Sequence, residues 1–147
     1  MNTLKRDLTL GLNAELSRQP TFESYFGPLK KTGKYESFDF KNEHFFVEHK
    51  ERDIHFRQYP TLFFDKIKYQ EYLRLKQTYP HHRFVIIWTL KDQSYFWEFT
   101  ENDVDENDTG TWFYQDRMMD RRKGQGMQKQ PMVDVFLSAI KPLSEFR

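Results

Sequence analysis

The sequence predicts an α/β domain with a small mixed central sheet of four or more strands flanked by helices, and three observations carry that prediction. Short runs rich in aromatic and β-branched residues recur at 35–40, 45–51, 84–90 and 94–99, each bounded by polar or turn-forming residues. Between the second and third runs, Thr61 to Tyr79 contains no Gly or Pro and is long enough for a helix. Strand, helix, strand is a crossover, and a crossover brings the chain back parallel to the strand it left. Finally, 147 residues with 18% aromatic content, 15 of them Phe and 8 Tyr, suit one domain, spanning 1–147, whose core is built from a few large side chains.

Taken in order, Leu4, Leu8, Leu10, Leu12 and Leu16 give a broadly helical pattern, with Gly11 as a blemish. Phe22 to Phe26 extends or repeats that helix until Gly27-Pro28 stops it. The strands at 84–90 and 94–99 are separated by Lys91-Asp92-Gln93, which predicts a hairpin. Glu101 to Asp108 is acidic and polar, Trp112-Phe113-Tyr114 is a short strand candidate, and Asp116 to Gln130 is a charged segment containing Gly124 and Gly126. Pro131 to Ile140 reads as a closing helix with Pro in its first turn. The N-terminal helices are expected on one face of the sheet and the Thr61 helix on the other.

Several classes of chemistry fall away on composition. Cysteine is absent, so disulfides, thiolate metal sites and cysteine nucleophiles are excluded. No apolar run approaches the ~18 residues of a membrane span, and Met1 to Asp7 carries no signal-peptide core. A soluble, cytoplasmic protein is expected, with no membrane and no organic cofactor. Asp103, Asp105 and Asn107 alternate as in a calcium loop, but Asp108 stands where glycine is needed. Gly124-Gln125-Gly126 is not a phosphate loop, since no Gly-Lys-Ser/Thr follows. The 23 basic and 22 acidic residues nearly cancel, so a nucleic-acid binder would have to confine its bases to one face.

The chemistry concentrates in Phe45-Phe46-Val47-Glu48-His49-Lys50-Glu51-Arg52. Alternation along a strand sends Glu48, Lys50 and Arg52 to one side. Charges leaving the end of an apolar strand together are costly unless they serve one another or a ligand. Asp39, nine positions before Glu48, ends the preceding strand candidate and can set its carboxylate beside Glu48. Two such carboxylates make a hard-oxygen site for Mg²⁺, and a neighbouring lysine can orient a water.

Asp39 followed by Glu48-x-Lys50 resembles the PD-(D/E)xK nuclease superfamily, which includes Holliday-junction resolvases and phage endonucleases. Glu48-His49-Lys50-Glu51-Arg52 is similar to the Glu-x-Lys-x-Arg form of its phage and viral resolvase-like members. Gly11 to Leu16 resembles the first-helix segment whose glutamate, here Glu15, joins the metal site, with Glu23 as its competitor. Tyr59-Pro60-Thr61 followed by Lys66 resembles the helix start and helix lysine of the family. The order Glu15, Asp39, Glu48, Lys50, Lys66 covers about half the chain. One departure is Phe38, which stands where the motif places proline.

The resemblance implies a restriction-endonuclease-like core and a Mg²⁺- or Mn²⁺-dependent endonuclease acting on DNA. Asp39, Glu48 and Glu15 would be the metal ligands, with Lys50 as the catalytic cation. It also implies a homodimer. Arg52, Lys66 and Gln70 would hold phosphate, Lys66 and Gln70 sharing a helix face. Arg117, Arg121, Arg122 and Lys123 would track the DNA backbone from a basic loop. The alternatives are cleavage of RNA, a non-catalytic nucleic-acid-binding module on the same fold, and an assembly protein.

Overall fold

The apolar run before Glu48 forms strand β3 (Phe45–Glu51), which lies inside the larger of two sheets. The structure, a computed structural model, describes residues 17–33, 35–101, 112–119 and 126–147. Among them the chain runs α1 (17–26), β1 (Lys30–Lys31), β2 (Phe40–Lys41), β3, β4 (Thr61–Asp65), α2 (Lys66–Thr78), β5 (Arg83–Thr89), β6 (Ser94–Glu98), β7 (Trp112–Met119), β8 (Gln128–Phe136) and β9 (Lys141–Pro142). The first sheet has the order β1-β2-β3-β5-β6-β9 and the second β4-β8-β7. Strands β3 and β5 are parallel, as a crossover through α2 requires, and every other pairing is antiparallel. The protein is therefore mixed α/β.

The two faces of the large sheet are buried by different partners. Val47, Val85 and Ile87 meet Phe22 and Phe26 of α1 and Leu143 and Phe146 of the C-terminal turn. On the other face Phe46, Phe84, Ile86 and Trp88 pack beneath Tyr69 and Tyr72 of α2 and beneath Phe64, Trp112, Val133 and Val135 of the second sheet. Rings dominate the contacts, for example Phe46 stacked on Phe84 at 4.9 Å. Each fully buried Phe of this core contributes roughly 2 kcal/mol of apolar transfer energy. Gly27 ends α1 in the left-handed region (φ 80°), donating its amide to Glu23 O at 3.0 Å, and Pro28 prevents continuation. The predicted hairpin forms between β5 and β6, with Thr89 opposite Ser94.

Three sequence expectations are corrected. Thr61 to Asp65 is a strand, so the helix begins at Lys66; Leu62 and Phe64 alternate inward, and a single apolar pattern carried both elements. Pro131 to Phe136 is strand β8 and not a helix. Val133 and Val135 face the core while Met132 and Asp134, on the opposite side, are equally buried; a strand covered on both faces loses its alternation. Of the 35–40 run only Phe40 is in a strand, with Ser37 to Asp39 forming a bend.

Strand β7 runs through Met119 and so takes Asp116 and Arg117 out of the predicted basic loop. Arg117 pairs through Nη2 and Nε with the carboxylate of Asp134, which is 0% exposed and also accepts from Thr61 Oγ1 at 2.8 Å. The guanidinium lies 4.4 Å from the Phe63 ring centroid. Arg117→Ala would strand a buried carboxylate with one hydroxyl, so it should lower stability by about 3 kcal/mol in urea unfolding. The expected loss is much smaller if Asp134→Asn accompanies it.

Candidate active site

Asp39 enters the site through the bend. Phe38 is buried in the cluster beneath α2, whereas Phe40 is buried in the cluster beneath α1. Two residues apart on a regular strand they would share a face; here the backbone turns between them, and both rings pin Asp39 in place. Phe38, at the position of the motif's proline, makes ring contacts with Phe46, Phe84 and Phe99 at 5.6–5.8 Å. The β2–β3 register pairs Phe40 with Val47, so one step back sets Asp39 level with Glu48. Asp39 Oδ2 accepts the amide of His49 at 2.9 Å.

Glu48 lies on the face covered by α2 and is 5% exposed. Its Oε2 is 3.1 Å from Lys68 Nζ and 3.8 Å from Lys50 Nζ. No donor among the described residues reaches the buried Oε1. The Asp39 carboxylate is a neighbouring charge that acts on Glu48. Burial first, and then the Asp39 charge, push the Glu48 carboxyl up to about 8, against the pull of Lys68 and Lys50. His49 points to the other face, against the Phe22 ring at 5.0 Å, with its Nε2 2.8 Å from Thr89 Oγ1. Burial lowers its pKa to about 4, so it is neutral at pH 7 and holds two elements together.

Asp39, Glu48 and Lys50 thus converge, and Lys68 joins them. The family resemblance points to Lys66, whereas the helix lysine at Glu48 is Lys68. The signal was present: Lys68 lies four residues before the buried Tyr72 and so on the inner side of α2, with its Nζ 5.1 Å from the Phe38 ring. Lys66 instead sits over Tyr114, 4.6 Å from the ring centroid. Gln70 is exposed on α2. Arg52 is exposed, donating its Nη1 to Glu51 O at 2.8 Å. Glu23 accepts the Leu29 amide at 2.8 Å and serves the turn after α1. Arg117 is held by Asp134 as described. Glu15, Arg121, Arg122 and Lys123 lie outside the described residues.

The donor set fits a hard divalent cation. Two carboxyls stand together, that of Glu48 is buried, and no donor among the described residues reaches one of its oxygens, so the Glu48 oxygen has room for a ligand. Among the described residues no third His, Asp or Glu completes a protein cage. Mg²⁺ characteristically uses one or two carboxylates and fills its shell with water and substrate phosphate. Compared with protein-family models, with curated proteins and with solved structures, the chain finds no match.

Proposed function

We propose that the protein is a metal-dependent nuclease that hydrolyses phosphodiester bonds of DNA, on a restriction-endonuclease-like core formed by α1, β1, β2, β3, α2 and β5. The observation that carries this is Glu48: a buried carboxylate beside Asp39, flanked by two lysines, with one oxygen that no donor among the described residues reaches. A structural ion pair would not need a second carboxylate pressed against the first. The resemblance of Asp39 and Glu48-x-Lys50 to the PD-(D/E)xK motif supports the same reading.

Asp39 and Glu48 would hold Mg²⁺ or Mn²⁺, which stabilises charge on the phosphoryl oxygens and acidifies a bound water. The chain's own residues do the rest. The His49 amide fixes one Asp39 oxygen, so the carboxylate is aimed before substrate arrives. Lys50, half-buried on the same face as Glu48, presents an ammonium to the charge that grows at phosphorus. Lys68 neutralises Glu48 from the first turn of α2, where no acidic residue stands, and adds to the positive potential of the helix start. Arg52, further along the Lys50 side, contacts the backbone phosphate, and the segment around Arg121, Arg122 and Lys123 adds salt-sensitive affinity. A homodimer would let two strands be cut.

The test is incubation with supercoiled, linear, branched and single-stranded DNA, and with RNA, in Mg²⁺ or Mn²⁺. Cleavage that EDTA stops and that Asp39→Asn lacks is expected. No cleavage of any substrate, or cutting that persists in EDTA, would overturn the proposal. Lys68→Ala should lower turnover by about 10- to 100-fold, as loss of a group supporting a metal ligand does, whereas Lys66→Ala should leave it near the wild-type rate. Equal effects of the two would remove Lys68 from the site.

A further inference from the structure

Beside Lys50 runs a groove of about 330 Å³ between the end of β3 and β4, the edge strand of the second sheet among the described residues. Its floor is Leu62 and Trp88, its walls are Tyr59 and Phe63, and its rim carries Arg52 and Arg117. Two observations place it next to the candidate site. Trp88 is the register partner of Lys50 on β5. The Arg52 amide donates to Thr89 O at 3.0 Å, which continues the β3 ladder one step past Glu51 and keeps Arg52 on the Lys50 side.

Resting on the nuclease reading, we infer that this groove receives one unpaired nucleobase of the substrate next to the phosphate at Lys50, which makes the enzyme selective for DNA with an unstacked nucleotide at the cut. The volume, near the lower end for small-molecule sites, suits a single base and not a duplex edge. Tyr59 is 53% exposed although it lines an apolar groove, and so offers a ring for stacking. The charge is complementary. Two guanidiniums border the groove, no Asp or Glu among the described residues lines it, and the nearby Asp134 carboxylate is covered by Arg117. That same pair fixes the Arg117 guanidinium over Phe63 with Nε and Nη2 engaged, so the cation is preorganised at the rim. Trp88 Nε1 donates to Phe63 O at 3.4 Å and holds the floor to one wall, so the groove is formed before a base arrives.

The experiment measures binding of the full chain in EDTA, where nothing is cut. Its ligands are a fully paired duplex and the same duplex with one bulged 2-aminopurine. The bulged duplex should bind about tenfold more tightly, by the worth of one stacked base. The probe fluorescence should fall as the base stacks on Tyr59. Tyr59→Ala should abolish the preference while leaving affinity for the paired duplex unchanged, and Tyr59→Phe should restore it. Equal binding of the two duplexes, an equal loss on both in Tyr59→Ala, or no binding of either overturns the inference. Bulge preference in a protein that cuts nothing upholds the groove and overturns the nuclease. Metal-dependent cutting without bulge preference does the reverse.

Discussion

Glu48→Gln should abolish metal-dependent cleavage, by a factor of about 1,000 or more, and yet make the metal-free protein more stable at pH 8. The first effect follows from the loss of a carboxylate that a hard cation needs, since metal stabilisation of phosphoryl charge is worth several kcal/mol. The second follows from where Glu48 sits. Burial and the facing Asp39 raise its carboxyl from an unfolded value near 4.5 to about 8. The folded state therefore holds a proton that the unfolded state has released. Its contribution is most favourable below the unfolded value, declines as pH rises through the interval between the two, and levels off above the folded value.

At pH 7 that penalty is up to about 3 kcal/mol, and a neutral glutamine escapes it. Thermal unfolding should then show Glu48→Gln melting above the wild type by several degrees at pH 8 in EDTA, with the gap closing as pH falls toward 4.5. Adding Mg²⁺ should raise the wild-type Tm and leave the glutamine variant where it was, because only the wild type gains binding energy in the folded state. A variant that is less stable than wild type at every pH would mean that the lysine pairs outweigh burial at Glu48. A Mg²⁺ shift retained in the variant would move the metal elsewhere.

How much of this could be read from residues alone differs from one side chain to the next. Glu48 and Lys50 were legible because β3 is a regular strand, with its alternation carried over Phe45–Glu51, so spacing translates directly into facing. Asp39 was legible as an isolated acid in an apolar setting, but its mode of arrival was not. A strand ending at Asp39 was expected, and the side chain arrives instead from a bend that splits Phe38 and Phe40 between two cores. The position of the helix lysines was hidden for a similar reason. Thr61 to Asp65 left the helix for a second sheet, and a helix that starts at Lys66 puts Lys68 over Glu48 and turns Lys66 toward Tyr114. Asp134 and Arg117 belong to strands paired through the β7–β8 register, a contact that no local pattern encodes. Local periodicity carried what lies along one strand, and tertiary placement decided the rest.

Lys50→Ala should reduce turnover by about 100- to 1,000-fold, the range for loss of one preorganised group aimed at transition-state charge, while DNA affinity in EDTA and thermal stability stay close to wild type. Lys50 is the farther of the two cations from Glu48, at 3.8 Å against 3.1 Å for Lys68, and the more exposed, 24% against 17%. It is thus less committed to neutralising the carboxylate and better placed to meet a ligand. An interaction realised only as charge develops lowers kcat and kcat/KM together, whereas lost ground-state binding raises KM. The competing role is electrostatic support of Glu48, shared with Lys68. In that role Lys50→Ala would weaken Mg²⁺ binding, and raising the metal concentration would restore the rate. Single-turnover cleavage across a Mg²⁺ titration separates the two. A reduced plateau assigns Lys50 to the chemical step, and a shifted midpoint with the wild-type plateau would leave it a supporting charge for Glu48.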